Sequence, residues 1–249
     1  MSSSNSPQRI TLGQFADRFR GEMVPLGNRF SYFCAAVTLS EDDLREYLEE
    51  PIAALPQKLA CLLPNIQILL VPYLERANGV RDVVVAVEKP NETRTTYSGA
   101  VISANETLLA FAIKDTEVAD YHYRFYRALA DLLPGKIDRE QYEKFASLLR
   151  EELSANIHGE VDEPSWRAKQ SLLRRSEKRR DAKALAQYVR ASFVDVMTLY
   201  MHGICCDIDV ETGPRQLPSR YLRTRLKLLR DMYPPPSGYA VLPEELPPA

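Results

Sequence analysis

The sequence predicts an α+β fold, in which an amino-terminal antiparallel β-meander is covered by helices and a mainly helical carboxyl-terminal region follows. Three observations support this fold class. Short extended segments separated by turn residues lie between residues 66 and 113, and helical periodicity dominates from residue 115 onward. The chain has 249 residues, of which 45% are hydrophobic, so it can bury a sizeable core.

The predicted strands are rich in aromatic and aliphatic residues and are bounded by turn chemistry. They are residues 30–39, 66–73, 80–88, 95–103 and 107–113. Short turns separate the last three, and a short turn cannot make the crossover that a parallel pair requires. We therefore expect these three strands to form an antiparallel meander. Both faces of residues 80–88 are substantially apolar, so we expect the helices beginning near Glu41 and Glu117 to cover the sheet.

The predicted helices combine apolar residues at helical spacing with capping residues at their ends. They are residues 11–23, 41–63 with an interruption at two prolines, 120–133, 138–156, 165–201 as one long helix or two abutting ones, and 218–232. Thr11 is the expected N-cap of the first helix, and Ser40 with Asp43 predicts a capping box before the second. Residues 204–210 are the remaining candidate strand.

The order of these elements divides the chain into four predicted segments. They are a disordered tail at residues 1–8, an α+β sheet region at residues 9–133, a helical region at residues 134–233, and a proline-rich tail at residues 234–249. The helical region either forms a second domain or packs on the sheet as part of one domain.

Composition also indicates the compartment. The amino terminus has no basic segment followed by an apolar core, and four cysteines lack the density and spacing of a disulfide framework. We therefore expect a cytoplasmic protein with reduced thiols. The longest apolar stretch, residues 184–201, contains Arg190 and Asp195, which are costly in a bilayer, so we expect no membrane insertion.

The formal net charge of −2 hides a strong segregation of charge. Residues 164–230 contain fifteen Lys and Arg against six Asp and Glu, so this segment carries +9 and the rest of the chain −11. Such a distribution indicates either that the two parts neutralise each other or that the basic part contacts something anionic.

The basic residues of this segment are concentrated in two predicted helices, at residues 166–183 and 220–230. On the first helix they form two adjacent rows, which could contact phosphates by releasing condensed counterions. A solvated face, or pairing with acids of the same molecule, is the competing interpretation, since no helix-turn-helix, RNP or zinc-finger signature is present. The candidate anion or nucleic-acid contacts are Arg174, Arg175, Lys178, Arg179, Arg180, Arg223 and Lys227.

A metal-dependent hydrolase, or a degenerate zincin-like protein, is the alternative. A meander followed by a helix that carries His122 resembles the layout of zincin peptidases, whose chemistry needs a second histidine one helical turn later. Tyr126 stands at that position here. His202 and Cys205 have a spacing that two ligands of one zinc ion can adopt, and His158 is the remaining imidazole. The candidate zinc ligands are therefore His122, His158, His202 and Cys205.

The chain has no GxGxxG, GKS, GKT or GxSxG motif, and no residue is nominated as catalytic. The sequence therefore predicts an intracellular, non-enzymatic binding protein: an adaptor, regulator or complex subunit. The expected partner is another protein or a second copy of the chain, with nucleic acid as a further candidate. No cofactor is expected unless the zinc alternative holds.

Overall fold

The computed structural model describes residues 10–27, 29–77, 82–103, 106–176, 182–206 and 217–242. The chain divides into two compact units. The first is formed by the residues up to Glu49 and by Leu63–Arg124, and the second by Glu50–Leu62 and the residues from Phe125 onward. Each unit has its own secondary structure, in keeping with the α+β class that the sequence predicts.

The first unit contains most of the strands. Its elements are α1 (Leu12–Phe19), β1 (Val24–Pro25), β2 (Phe30–Cys34), α2 (Glu41–Leu44), β3 (Asn65–Val71), β4 (Tyr73–Arg76), β5 (Val83–Ala86), β6 (Thr95–Thr96), β7 (Ser98–Ile102) and β8 (Glu106–Ala112). A five-stranded sheet has the order β1-β2-β3-β8-β7, and a three-stranded sheet has the order β5-β4-β6. A π-helical turn at Arg45–Glu49 continues α2.

The strand pairing corrects part of the predicted antiparallel meander. β7 pairs antiparallel with β8, as predicted, but β5 and β6 each pair with β4 in the smaller sheet and not with each other. In the larger sheet, β3 lies between β2 and β8 and is parallel to both. The chain reaches β3 from β2 through helices, and it reaches β8 from β3 through the smaller sheet, so both connections are long enough for a crossover. β3 and β8 are buried on both faces along most of their length, as is typical of central parallel strands.

Helical residues cover both faces of this sheet. Leu12 and Phe15 of α1 pack in one core with Leu108 and Ala110 of β8. On the opposite face, the ring of Phe111 lies edge-on to Tyr121 with centroids 5.2 Å apart. The capping boxes predicted at Thr11 and at Ser40 with Asp43 are both present, which explains where α1 and α2 begin.

The second unit is helical. Its elements are α3 (Glu50–Ala53), α4 (Gln57–Leu62), the second half of α5 (Val118–Asp131), whose first half belongs to the first unit, α6 (Arg139–Ser154), α7 (Glu163–Ser176), α8 (Ala182–Cys205) and α9 (Ser219–Met232). α8 is buried nearly all round, and its Phe193 meets Phe145 of α6 edge-on at 5.3 Å. In the described ranges, none of the helices combines the length and apolar composition needed to cross a bilayer.

One further prediction is corrected, at the end of α8. Ile204 and Cys205 belong to α8 and not to the strand predicted at residues 204–210; residues 207–210 lie outside the described residues. In the predicted proline-rich tail, Val241 and Leu242 are almost fully buried. Apolar side chains that follow the prolines therefore anchor this part of the chain to the folded protein.

Candidate functional site

The inner face of α9 carries a buried guanidinium group. Leu222, Leu226 and Leu229 are buried on this face, and Arg225 lies among them with no exposed surface. Its guanidinium donates to both carboxylate oxygens of Glu152 on α6, and one of its nitrogens lies 2.7 Å from Glu160 Oε2. The charge of Arg225 is therefore compensated inside the protein by two carboxylates.

A second cation completes this cluster. Lys169 Nζ on α7 lies 3.1 Å from Glu160 Oε1 and donates to the backbone oxygen of Gly159 at 2.9 Å. The Tyr188 hydroxyl of α8 donates to Glu160 as well. Glu152, Glu160, Lys169 and Arg225 are all at most 3% exposed. We call these four residues with Tyr188 the buried ion cluster; it contains two positive and two negative charges.

Electrostatics within the cluster favour the charged forms of Glu160 and Arg225. Burial alone would raise the pKa of Glu160, but Arg225, Lys169 and the Tyr188 hydroxyl outweigh it and lower that pKa. Burial would lower the pKa of Arg225, and the two carboxylates raise it instead. Burial and the charge of Glu160 together raise the pKa of Tyr188. The cluster therefore joins α6, α7, α8 and α9 through charges that have no access to water.

A further buried carboxylate fixes the start of α7. Asp195 of α8 is 1% exposed; it accepts a hydrogen bond from the backbone nitrogen of Ser165 at 2.9 Å, and one of its oxygens lies 2.6 Å from Arg127 Nη1. Burial raises the pKa of Asp195, although the bond from Ser165 and the charge of Arg127 oppose the rise. This arrangement satisfies a backbone donor at the helix amino terminus.

The outer side of α9 is cationic. Arg220, Arg223, Lys227 and Arg230 follow one another at spacings of three, four and three residues, so they share one side of the helix. Arg220 lies over the ring of Tyr221, and Arg230 pairs with Asp231. Lys227 is exposed, and no carboxylate of the described residues forms an ion pair with it. We call these four residues the α9 cationic face.

A groove of about 820 Å³ between α6 and α9 borders this helix. Thr224 and Leu228 contribute the α9 wall, and acidic residues such as Glu143 and Glu151 contribute to the α6 wall. Glu143 pairs with Arg150 at 2.5 Å. Thr224 lies four residues after Arg220 and three before Lys227. The groove and the acids of α6 therefore border the part of the α9 cationic face that carries these two residues, and they lie away from Arg223 and Arg230.

The structure describes some of the anion contacts predicted from the sequence. Arg174 is exposed near the end of α7 and has no ion pair with a described carboxylate. Arg223 and Lys227 belong to the α9 cationic face. The side chain of Arg175 and all of Lys178, Arg179 and Arg180 lie outside the described residues. Glu152, Glu160 and Arg225, which form the buried ion cluster, are not among the residues predicted from the sequence.

The residues of the zinc alternative are distributed over both units. His122 belongs to the first unit, where its Nε2 lies 2.8 Å from the backbone oxygen of Glu46, so this nitrogen acts as the donor. His158 is exposed, and His202 lies near the end of α8. Among the residues that the structure describes, neither His158 nor His202 belongs to a group of three possible ligand atoms within 4.8 Å of one another.

Cys205 is in a distinctive thiol environment. It ends α8, and its Sγ lies within 4.8 Å of the Sγ of its neighbour Cys206. Hydrogen bonds from Cys206 and from the Tyr126 hydroxyl lower the pKa of Cys205 to about 7, although burial opposes them. The same pairing and burial raise the pKa of Cys206. Cys205 therefore loses the first proton of the pair.

The comparisons with known proteins add no functional information. The sequence matches no protein-family model, and neither the curated proteins nor the solved structures include a match.

Proposed function

We propose that this protein works by binding, as an adaptor, regulator or complex subunit, and that the α9 cationic face contacts an anionic partner. The observation that carries the proposal is the division of charge across one helix. Arg225 points inward and is neutralised by Glu152 and Glu160, whereas Arg220 and Lys227 are exposed. The buried ion cluster fixes α9 in place, so the outer cations are presented from a rigid support.

The dimensions of the face suit an extended anion. Arg220 and Lys227 are seven residues apart, a distance of about 10 Å along a helix. A nucleic-acid duplex presents several phosphates over that length, and each cation that contacts one releases condensed counterions. Among the anionic partners, nucleic acid is therefore the one that we test first, and the exposed Arg174 is a candidate for an additional contact.

The test is fluorescence anisotropy with a labelled DNA duplex and a labelled single-stranded RNA at several salt concentrations. The variant R220E/K227E reverses two charges of the α9 cationic face. We expect it to weaken binding at least tenfold near 0.1 M salt and to reduce the slope of log K against log salt by about 1.8 for the duplex, because two phosphate contacts are lost.

The matched control is K58E/R76E, which changes the net charge by the same amount at an exposed lysine and an exposed arginine outside α9 and its groove. A general effect of net charge would weaken nucleic-acid binding equally in both variants, and that result would contradict a role for the α9 cationic face. Equal binding by R220E/K227E and the unmodified protein contradicts it too. A third outcome is that the protein binds poly-glutamate but neither nucleic acid, and that R220E/K227E loses this binding. That result would identify an acidic protein as the partner of the same face.

The predicted arginines outside the described residues are tested separately. The variant K178E/R179E/R180E tests the contacts that were predicted from the sequence alone. If the two basic segments contact the same partner, its loss of nucleic-acid affinity should add to that of R220E/K227E. Unchanged binding would restrict the contact surface to α9.

A further inference from the structure

The first unit contains a crevice at one edge of its larger sheet. β2, β3 and β8 are parallel, so their carboxyl ends meet at that edge. The residues that follow these strands line a cavity of about 390 Å³: Ala36 and Val37 follow β2, Pro72 follows β3, and Ile113 and Lys114 follow β8. Open sheets with parallel strands bind ligands at this position, and the volume is within the range of small-molecule sites.

The backbone on two sides of the crevice has an unusual conformation. Ala36 after β2 and Asp115 after β8 both have φ near 57°, in the left-handed region that residues other than glycine seldom adopt. Such conformations persist where the surrounding structure enforces them, and they are frequent at ligand sites. At this edge, the two left-handed residues set the direction of the loops that follow β2 and β8 and border the cavity.

One of the two lysines near the crevice is already paired with a carboxylate. Asp115 accepts hydrogen bonds from the Tyr73 hydroxyl at 3.1 Å and from Lys89 Nζ at 2.9 Å, so Lys89 is already neutralised. Asp43 lines the cavity as well; hydrogen bonds from Ser40 in the capping box lower the pKa of Asp43 and favour its charged form, so the lining also contains one carboxylate.

Lys114 differs from these groups. It is exposed, its Nζ lies 5.6 Å from the centre of the Tyr73 ring, and it has no ion pair with a carboxylate in the described part of the chain. Tyr47 adds a phenol to the lining, and the other walls are mostly apolar. The crevice therefore combines mostly apolar walls with one cation, Lys114, and one carboxylate, Asp43.

We propose that this crevice binds a small organic carboxylate with an apolar body, and that Lys114 pairs with the carboxylate group. A single cation suits a singly charged carboxylate better than a phosphate, which proteins hold with several donors or a glycine-rich loop. The apolar walls and Tyr47 accommodate the body of the ligand. This site is separate from the α9 cationic face and does not depend on its function.

Saturation-transfer NMR of the full chain tests the proposal with benzoate, benzyl alcohol and inorganic phosphate as probes. We expect benzoate to bind more tightly than benzyl alcohol and phosphate. Lys114→Met should weaken benzoate about tenfold and leave benzyl alcohol unchanged, because only the charged contact is removed. Lys58→Met is the matched control at an exposed lysine outside the crevice and should bind all probes like the unmodified protein.

A second variant tests the chamber itself. Val37 is half-buried in the lining, and Val37→Phe should reduce the binding of both benzoate and benzyl alcohol by filling the cavity, while far-UV circular dichroism confirms the fold. Three results would overturn the proposal: no saturation transfer to benzoate, equal benzoate affinity in Lys114→Met, or a preference for phosphate.

Discussion

Replacing Arg225 by methionine should destabilise the second unit strongly. The guanidinium contacts Glu152 and Glu160 and lies 2.8 Å from the Ser192 hydroxyl, and it has no exposed surface. Its removal leaves two buried carboxylates with Lys169 as the remaining cation of the cluster. Breaking a buried ion pair by removing one partner costs about 3–5 kcal/mol. We therefore expect a loss of about 4 kcal/mol, or a fall in Tm on the order of 10 °C.

Urea denaturation followed by circular dichroism measures this loss, with Arg220→Met as the matched control. The control makes the same substitution on the exposed side of the same helix, so its free energy of unfolding should change by no more than about 0.5 kcal/mol. A double variant, R225M/E152M, removes one charge of each sign and leaves Lys169 paired with Glu160. We expect it to be more stable than R225M, because fewer buried charges lack a partner.

The pH dependence gives an independent check. The lowered pKa of Glu160 means that this carboxylate stabilises the fold above its ordinary pKa of about 4.5, and that this stabilisation is lost as the pH falls through the lowered value. In R225M, only Lys169 and the Tyr188 hydroxyl oppose the effect of burial, so the pKa of Glu160 should rise. Protonation of Glu160 as the pH falls then relieves part of the cost, and the difference in stability between the two proteins should shrink as the pH is lowered from 7. A loss below about 1 kcal/mol with no pH dependence would refute a buried, charged Arg225.

Three further predictions concern other parts of the chain. Thr11→Ala removes the capping box of α1 and should cost about 1 kcal/mol in urea denaturation, whereas an unchanged midpoint would mean that α1 does not depend on this cap. Cys205 should react with iodoacetamide faster than Cys206, and its rate should rise through about pH 7 and be lower in Tyr126→Phe. Peptide mass spectrometry measures both rates, and equal rates for the two cysteines would contradict the hydrogen bonds to Cys205. Elemental analysis of protein purified without a histidine tag tests the zinc alternative, and stoichiometric zinc would favour the hydrolase over the binding protein.

Local chemistry was sufficient to predict where most elements begin. Thr11 and Ser40 have side chains that bond the backbone a few residues away, and Asp138 caps α6 in the same way. These contacts span at most a few positions, so a single stretch of sequence contains both partners. The later helices were predictable from the spacing of their apolar residues, which is also a local pattern; α9 has no side-chain cap.

The pairing of the strands could not be predicted from the turns alone. The antiparallel prediction, which rested on tight turns, is correct for β7 and β8. The continuous apolar runs of β3 and β8 were the signal for central parallel strands, since residues buried on both faces do not alternate. The helical connection between β2 and β3 was a second signal, because a strand, a helix and a strand in succession favour a parallel pair.

The charge segregation was predictable, but its consequence was not. Arg225 stands three residues after Leu222 and four before Leu229, so its register already placed it on the apolar side of α9. Its partners Glu152 and Glu160 are 73 and 65 residues away in the sequence, and no local pattern connects them. The internal-pairing interpretation is correct for Lys169 and Arg225, whose charges are neutralised by acids outside that segment. Contact with an anionic partner stays a prediction, and it depends on exposed side chains such as Arg174 and Lys227.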